Sequence, residues 1–358
     1  MEKQDTFRAV VLIPAYKPDR RLNKLVDELI AKGFHRIVVI DDGGGAAYAD
    51  IFRDLAGKAT VLTHEVNRGK GAGLKTGIRE IMKTPNVGVV TADADGQHTP
   101  DDVAKIADAL IAHPDALILG SRDKKAMPLR SKAGNTLTCG VFGLLTGLWI
   151  SDTQTGLRGL PACALEAFST LEGDRYEYEM RVLIACARAG IPMESITIET
   201  VYENGNEGSH FHPIRDSYRI YKVILGSFVK FMGTSVLCVG IDQGLAWLLR
   251  DVLLAHMGID HTGLIWASGL LARLVSSVVN FALNRSFVFK LKGSAKSAVW
   301  KYALLCVAVI CISNLCVQLL ELIGWNAGIA KAVCDTLLYF FNYHIQNRWV
   351  FREEEKKA

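Results

Sequence analysis

The sequence predicts two domains of different class: an α/β domain on a mostly parallel sheet, then an all-α domain of four membrane-crossing helices. Three observations carry this. Short β-branched runs alternate with amphipathic stretches through the first part of the chain, the pattern of a parallel sheet covered on both faces. From about Gly226 long apolar segments take over. The stretch TADADGQH, residues 91–98, follows the apolar run Val87 to Val90, so Asp93 and Asp95 stand where a buried strand runs out into a loop. Ligands of open α/β sheets bind at that edge.

The elements follow in order. Ala9 to Ile13 is a β-branched run stopped by Pro14, and Arg20 to Ala31 has helical spacing. Ile37 to Ile40 runs into Asp41-Asp42-Gly43-Gly44-Gly45 before a helix near Ala46 to Ala56, and Ala59 to Thr63 precedes a helix near Gly71 to Met82. Thr99 supplies an N-cap, Pro100 a first-turn proline, and Asp101 and Asp102 acidic groups near the positive helix end. Another strand, Ala116 to Leu119, comes next. Three loops share the carboxyl edge: PAYKPDR with Tyr16, DDGGG with two carboxylates, and NRGKGAG with Arg68, Lys70 and open amides. Gly69-Lys70-Gly71-Ala72-Gly73 lacks G-x-G-x-x-G spacing and does not follow the first strand, and Lys75-Thr76 is preceded by Leu74, so neither a dinucleotide fingerprint nor a P-loop is present. Alone, each glycine run is as readily a tight turn.

Alternate residues of an extended segment point the same way, so Asp93 and Asp95 face one cation together, with Gln97 adding a neutral oxygen. Mg²⁺ is usually held by one or two carboxylates plus substrate phosphates. An isolated Asp-x-Asp is more often a solvated loop, so its neighbours decide. The chain of 358 residues carries a net charge of only +4, and its first half has no basic face interleaved with aromatics, which argues against nucleic acid as a partner. The start, MEKQDTFRAV, shows no apolar h-region, from which the first domain is expected to stay in the cytoplasm. The eight cysteines form no C-x-x-C pair, and Cys238, Cys306, Cys311, Cys316 and Cys334 read as small buried hydrophobes.

LIPAY, VVIDDGGG, NRGKGAGLKTG, TADADGQH, LGSR, PLRSKAGN, DTQTGLRG and YEYEM occur in this order between Ala9 and Leu225. Together they resemble glycosyltransferase family 2, and within it the polyprenyl-phosphate hexosyltransferases similar to dolichyl-phosphate mannose synthase. The resemblance implies a GT-A (Rossmann-like) fold, a nucleotide diphosphate sugar donor (UDP- or GDP-hexose), and Mg²⁺ or Mn²⁺. It makes Pro14, Tyr16 and Asp42 nucleotide-base positions, puts Lys70 in the nucleotide-contacting loop, and gives Asp93, Asp95 and Gln97 to the metal and diphosphate. Arg122 and Arg130 match the acceptor-phosphate positions. Asp152 and Gln154, with Arg158, read either as the sugar and acceptor side or as a loop-bracing cluster, and Glu177 and Glu179 rank below Asp152. Two departures stand out: Lys17-Pro18 replaces the family's Asn-Glu, with Asp19 the one nearby acid, and Ser209-His210 stands where a Ser-Lys closes over the diphosphate. A phosphate acceptor ionises near pH ~6 by analogy with phosphorylated side chains, so an inverting attack needs no strong general base. Two arginines would hold that nucleophile in line.

The acceptor's lipid tail gives meaning to the rest. Residues 132–150 are apolar and glycine-rich, a core helix or a surface against lipid. Residues 214–225, with Arg215, Arg219 and Lys222, predict an interfacial helix closing a first domain of residues 1–225. Four segments near 228–250, 262–284, 299–321 and 327–349 suit a hydrocarbon core about 30 Å thick, within a membrane domain of residues 226–352 followed by a charged cytoplasmic tail, 353–358. Arg285, Lys290, Lys292, Lys296 and Lys301 between the second and third segments place both termini in the cytoplasm by the positive-inside rule. NFALNRSFVF (280–289) is echoed by NYHIQNRWVF (342–351), and Lys230-Phe231 by Lys301-Tyr302. Polar groups in lipid need partners, which predicts Asn280, Asn342 and Asp242 buried among helices. This half resembles the GtrA-like membrane family, which implies an anchor or a glycolipid translocator. The rival readings are a processive polysaccharide synthase, although Gln346-Asn347-Arg348-Trp349 is one residue short of Q-x-x-R-W, and a transporter or scaffold with a regulatory nucleotide-sugar domain. The sequence leaves a homo-oligomer open.

Overall fold

The computed structural model describes residues 9–123, 127–199, 212–253, 261–289 and 295–351. Seven strands form one sheet: β1 (Ala9–Ala15), β2 (Ile37–Asp41), β3 (Thr60–Thr63), β4 (Gly88–Thr91), β5 (Leu117–Arg122), β6 (Arg158–Leu160) and β7 (Met193–Ile198). Their order is β3-β2-β1-β4-β6-β5-β7, parallel throughout except for β6, which runs antiparallel to both β4 and β5. The mostly parallel sheet expected from the alternating pattern is therefore present. Val11, Leu12 and Ile13 of β1 are all fully buried, because helices cover both faces. Helix α1 (Arg21–Ala31) sends Leu22, Leu25, Val26 and Leu29 into the core, the i, i+3, i+4, i+7 stripe that made it legible in the sequence. Each such side chain contributes roughly 1.5–3 kcal/mol on burial.

The stretch 46–56 is not one helix: a 3-10 turn, Ala46–Tyr48, leads into a five-residue helix, α2 (Ala49–Arg53). Helices α3 (Lys70–Ile81) and α4 (Pro100–Ala112) follow β3 and β4. At the start of α4 the Thr99 side chain accepts the Asp102 N–H at 3.1 Å, with Pro100 in the first turn.

Helix α5 (Leu129–Thr146) ends at Gly147, whose φ of 67° is a left-handed cap. The core-helix reading of residues 132–150 holds for one side of it. Asn135, Thr138, Cys139, Phe142 and Leu145 are buried, whereas Leu137 and Leu144 on the other side are more than half exposed. Helices α6 (Leu165–Thr170) and α7 (Glu177–Ala189) complete the first unit.

The chain forms two compact units, Met1–Ile224 and Leu225–Ala358. Residues 214–225 are not a separate interfacial helix. They open one continuous helix, α8 (Pro213–Leu248), because no glycine or proline interrupts the helical spacing before Gly226, which is itself accommodated. Three further helices follow: α9 (His261–Leu283), α10 (Ala295–Leu322) and α11 (Ala327–Ile345). Among the described residues three helical stretches are long and apolar enough to cross a membrane: Ile214–Val252, Ala267–Val288 and Lys296–Leu322. The fourth expected span corresponds to α11, where Lys331, Asp335, Asn342 and His344 dilute the apolar run.

The repeat has a structural counterpart. Both copies pass from α-helix into a π-helical turn, Asn284–Val288 after α9 and Gln346–Val350 after α11. Asn284 Nδ2 donates to Asn280 Oδ1 and to Gln346 Oε1, each at 3.0 Å, while its Oδ1 accepts from Thr234. Gln346 Nε2 donates to Asn342 Oδ1. Asn284 and Gln346 are thus the most deeply buried members, and the predicted Asn280 and Asn342 are their partly buried partners. Asp242 is buried as expected and accepts from Ser276. All eight cysteines are free, but Cys311 is exposed and Cys306 and Cys316 are half-buried.

Candidate active site

The antiparallel strand assembles the site. Because β6 pairs Arg158 with Thr91, the loop preceding it, residues 152–157, arrives at the carboxyl edge of β4 beside the two aspartates. Thr91 Oγ1 donates to the Gly156 carbonyl at 2.7 Å, and Gly156 faces the Asp93 carboxylate so closely that a Cβ there would lie 2.2 Å from Asp93 Oδ2. Lys70, at the first position of α3, reaches Asp93 Oδ1 at 2.6 Å and Glu179 Oε1 at 3.1 Å. Gly69, with φ of 102°, makes that entry: its Cβ position would fall 2.4 Å from the Asp174 carbonyl. The Tyr176 ring lies 6.0 Å from the same ammonium.

The charges are unevenly matched. Burial opposes the Lys70 charge, but Asp93 and Glu179 outweigh it and hold the ammonium protonated well above its ordinary range. Burial likewise opposes ionisation of Asp93, but Lys70 and His98 outweigh it and hold the carboxyl well below the usual range. Asp95 goes the other way: burial, then repulsion from Asp93, raises its proton affinity, although the Gln97 N–H donates to Oδ1 at 3.1 Å. Burial also pushes the Tyr176 hydroxyl up to about 12. His98 is 5% exposed, with Nε2 3.4 Å from Asp93 Oδ2 and neither ring nitrogen in a hydrogen bond.

This donor set fits a hard divalent cation. Asp95 is a half-buried acid short of positive charge, its partner Asp93 sits in a cradle that Gly156 leaves open, and both offer carboxylate oxygens. Among the described residues no group of three or more His, Cys, Asp and Glu side chains forms a metal cage. A two-acid site of this kind leaves its remaining coordination to substrate phosphates and water.

Other expected residues lie in different surroundings. Asp42 is 3% exposed and accepts from Asn67 Nδ2 (2.9 Å), Arg68 N–H (2.9 Å) and Gly69 N–H (2.7 Å), with His64 Nδ1 2.7 Å from Oδ1. These bonds organise the loop that delivers Lys70. His64 completes the brace through Thr76 at 3.0 Å. Pro14, half-buried, does not stop β1, which runs on to Ala15, and Tyr16 follows with the Lys17 ammonium 5.3 Å from its ring. Lys17 has φ of 49°; the proline after it disfavours the right-handed helical region, and the left-handed conformation is strained for lysine. Asp19 is committed to Arg21, whose guanidinium holds its carboxyl below the usual range.

Asp152 is 1% exposed and grips Arg122, with Nε to Oδ2 at 2.6 Å and Nη2 to Oδ1 at 3.1 Å. The expected sugar-facing acid is therefore turned onto an arginine whose plane it fixes. Gln154 is exposed, its Nε2 3.4 Å from Thr138 Oγ1. Arg158 is 2% exposed and donates to the carbonyls of Thr155, Glu179 and Thr153, which ties the loop to the start of α7. Arg130 occupies the first turn of α5, its side chain outside the described residues, where Ser209 and His210 also lie. Glu179, ranked low from sequence, belongs to the central cluster, and Tyr176, His98 and His64 went unremarked. The signal for Glu179 was the alternation in YEYEM, which buries Tyr178 and Met180 and leaves Glu179 between them at the edge.

Comparison with known proteins divides the chain in the same two parts. Residues 10–159 match the model described as glycosyl transferase family 2, and residues 230–351 match that of the GtrA/DPMS transmembrane domain. The chain is 30% identical to a UDP-N-acetylglucosamine–dolichyl-phosphate N-acetylglucosaminyltransferase of Methanococcus voltae, over 54% of this chain and 85% of that one. It is 25% identical to the human dolichyl-phosphate beta-glucosyltransferase, over 56% of this chain and 70% of that one. Among solved structures it is similar to glucosyl-3-phosphoglycerate synthase of Mycobacterium tuberculosis, with a TM-score of 0.47, 17% identity, and coverage of 62% of this chain and 80% of the other.

Proposed function

The chain belongs to glycosyl transferase family 2 and carries a GtrA/DPMS transmembrane domain, and from that premise we propose that it transfers a hexose from a nucleotide diphosphate sugar to a polyprenyl phosphate. The observation that carries this is the cluster of Asp93, Asp95 and Lys70 at the carboxyl edge of a parallel sheet, where a diphosphate meets both a cation-binding acid pair and an ammonium. Asp93, Asp95 and Gln97 would hold Mg²⁺ or Mn²⁺, which when bound neutralises and orients a departing diphosphate. Lys70 meets the same diphosphate from the start of α3, where the helix dipole also favours an anion. Pro14 and Tyr16 border the base, while Asp42 acts one step removed, by shaping the loop that carries Lys70.

Arg122, held flat by Asp152, and Arg130 present the acceptor phosphate, whose own negative charge makes a strong base unnecessary. Gln154 lies on the acceptor side; Ser209 and His210, outside the described residues, stay candidates for the diphosphate by the resemblance alone. The polyprenyl tail runs into the bilayer that the membrane unit occupies, and the positive residues between its second and third helices put the catalytic unit in the cytoplasm. A lipid acceptor fits the transmembrane match better than a growing polysaccharide does.

The test is a donor panel. Purified full chain, Mn²⁺ or Mg²⁺, labelled UDP- and GDP-hexoses (UDP-N-acetylglucosamine and UDP-glucose first) and a short polyprenyl phosphate should yield a lipid-soluble product bearing one sugar. Polymer would mark a processive synthase, and no transfer from any donor would mark a scaffold.

A further inference from the structure

Granting the metal role proposed for Asp93 and Asp95, we propose that Lys70 is a built-in counter-ion. It holds Asp93 in the donor-free enzyme, yields it when a divalent ion binds, and is kept paired through the exchange by Glu179. Lys70 is bound between two carboxylates at unequal distances, 2.6 Å to Asp93 and 3.1 Å to Glu179, and is 16% exposed. Its ammonium occupies an oxygen of an acid that a cation needs. Mg²⁺ sits only about 2.0–2.1 Å from its oxygen ligands, so an ion on Asp93 would crowd and repel an ammonium already within hydrogen-bond distance of that carboxylate.

Glu179 resolves the conflict. A buried ammonium that lost its sole partner would be strongly disfavoured. Here the second carboxylate, 12% exposed, lies already within reach, so Lys70 can leave Asp93 without becoming unpaired. Glu179 is itself held in place, since its backbone carbonyl accepts Arg158 Nη1 at 2.7 Å. Arg158 thereby braces the substitute partner as well as the loop that carries Gly156. The donor's diphosphate then supplies the negative charge that lets ion and ammonium remain together in one site. Glu179 is a positioning residue in this scheme: it acts on substrate only through Lys70. The device makes ion binding weak until donor arrives, so the two are taken up together.

Mn²⁺ titrated into the purified full chain without nucleotide, with free ion followed by its electron paramagnetic resonance, reads the device apart from turnover. Lys70→Met should bind Mn²⁺ on the order of tenfold more tightly, as expected for removing a like charge a few Å away in a partly screened site, and should bind the nucleoside diphosphate less tightly. Glu179→Gln, which leaves Lys70 with Asp93 alone, should bind Mn²⁺ less tightly than the natural chain. A substitution that merely loosened the loop would lower Mn²⁺ affinity, so a gain in Lys70→Met distinguishes the two roles. Equal affinities in all three proteins, or a loss in a folded Lys70→Met, overturn the proposal. Should Lys70→Met fail to fold, an affinity in Glu179→Gln equal to or above the natural one overturns it instead. No Mn²⁺ binding by any of the three, with the nucleoside diphosphate present as well as without it, removes the metal role and this device with it, while the donor panel still tests sugar transfer by itself.

Discussion

Each unit buries a polar cluster, and the two clusters obey opposite rules. In the helical unit Thr234, Asn280, Asn284, Asn342 and Gln346 form a chain in which each donated hydrogen finds an oxygen. In the catalytic unit Asp93 and Glu179 share one ammonium, Asp95 beside them is pushed toward its neutral form, and His98 has no hydrogen bond at either nitrogen. A cluster that only holds helices together is most stable when saturated, because an unpaired polar group in an apolar layer is unfavourable. A cluster that must accept a cation and an anionic donor has to be left incomplete. Incompleteness, more than burial or charge, separates the site from its supports, and it also separates the site from Asp42 and Arg158, which are saturated braces in the same unit.

The largest effect should come from the incomplete cluster. Asp95→Asn is expected to lower kcat about 10³-fold, roughly 4 kcal/mol of transition-state stabilisation. Its melting temperature should stay unchanged or rise slightly, because a charge disfavoured by burial and by Asp93 is gone. A large fall in melting temperature with normal turnover would make Asp95 a structural acid and erase the contrast.

The saturated cluster should respond in the reverse sense. Asn284→Ala takes the donor from Asn280 Oδ1 and Gln346 Oε1, while Thr234 keeps the Phe231 carbonyl, and should destabilise the helical unit by about 2 kcal/mol, given that hydrogen bonds between membrane helices each contribute on the order of 1 kcal/mol. Denaturation in detergent measures this, and sugar transfer per folded molecule should change little. The smallest effect is in pH dependence. Since burial and Asp93 raise the proton affinity of Asp95, it takes up its proton at higher pH than a free carboxyl. Mn²⁺ affinity should therefore begin to fall, as pH is lowered, while still above the ordinary Asp range near ~3.9. That inflection should vanish in Asp95→Asn; an inflection at or below the ordinary range would show the acid pair to be less strained than its surroundings imply.

The sequence by itself determined the alternating strands and helices from β1 to β5, the strand end that carries Asp93 and Asp95, the division into an α/β and an apolar helical half, and the repeat. These rest on periodicities and motifs of a few residues, which act locally and survive any arrangement of the parts. Only the tertiary structure decided which polar residues are free to act. Asp42, Asp152 and Arg158 sit in motifs as suggestive as that of Lys70, yet their partners are the loop at 64–69, Arg122 and three carbonyls. Glu179, 86 positions beyond Asp93 in the numbering, comes to the same ammonium because β6 turns back antiparallel and α7 packs beside α3. The physical reason is that a side chain's chemistry depends on what it is bonded to and how far it is removed from water, and both are set by contacts between residues far apart in the chain.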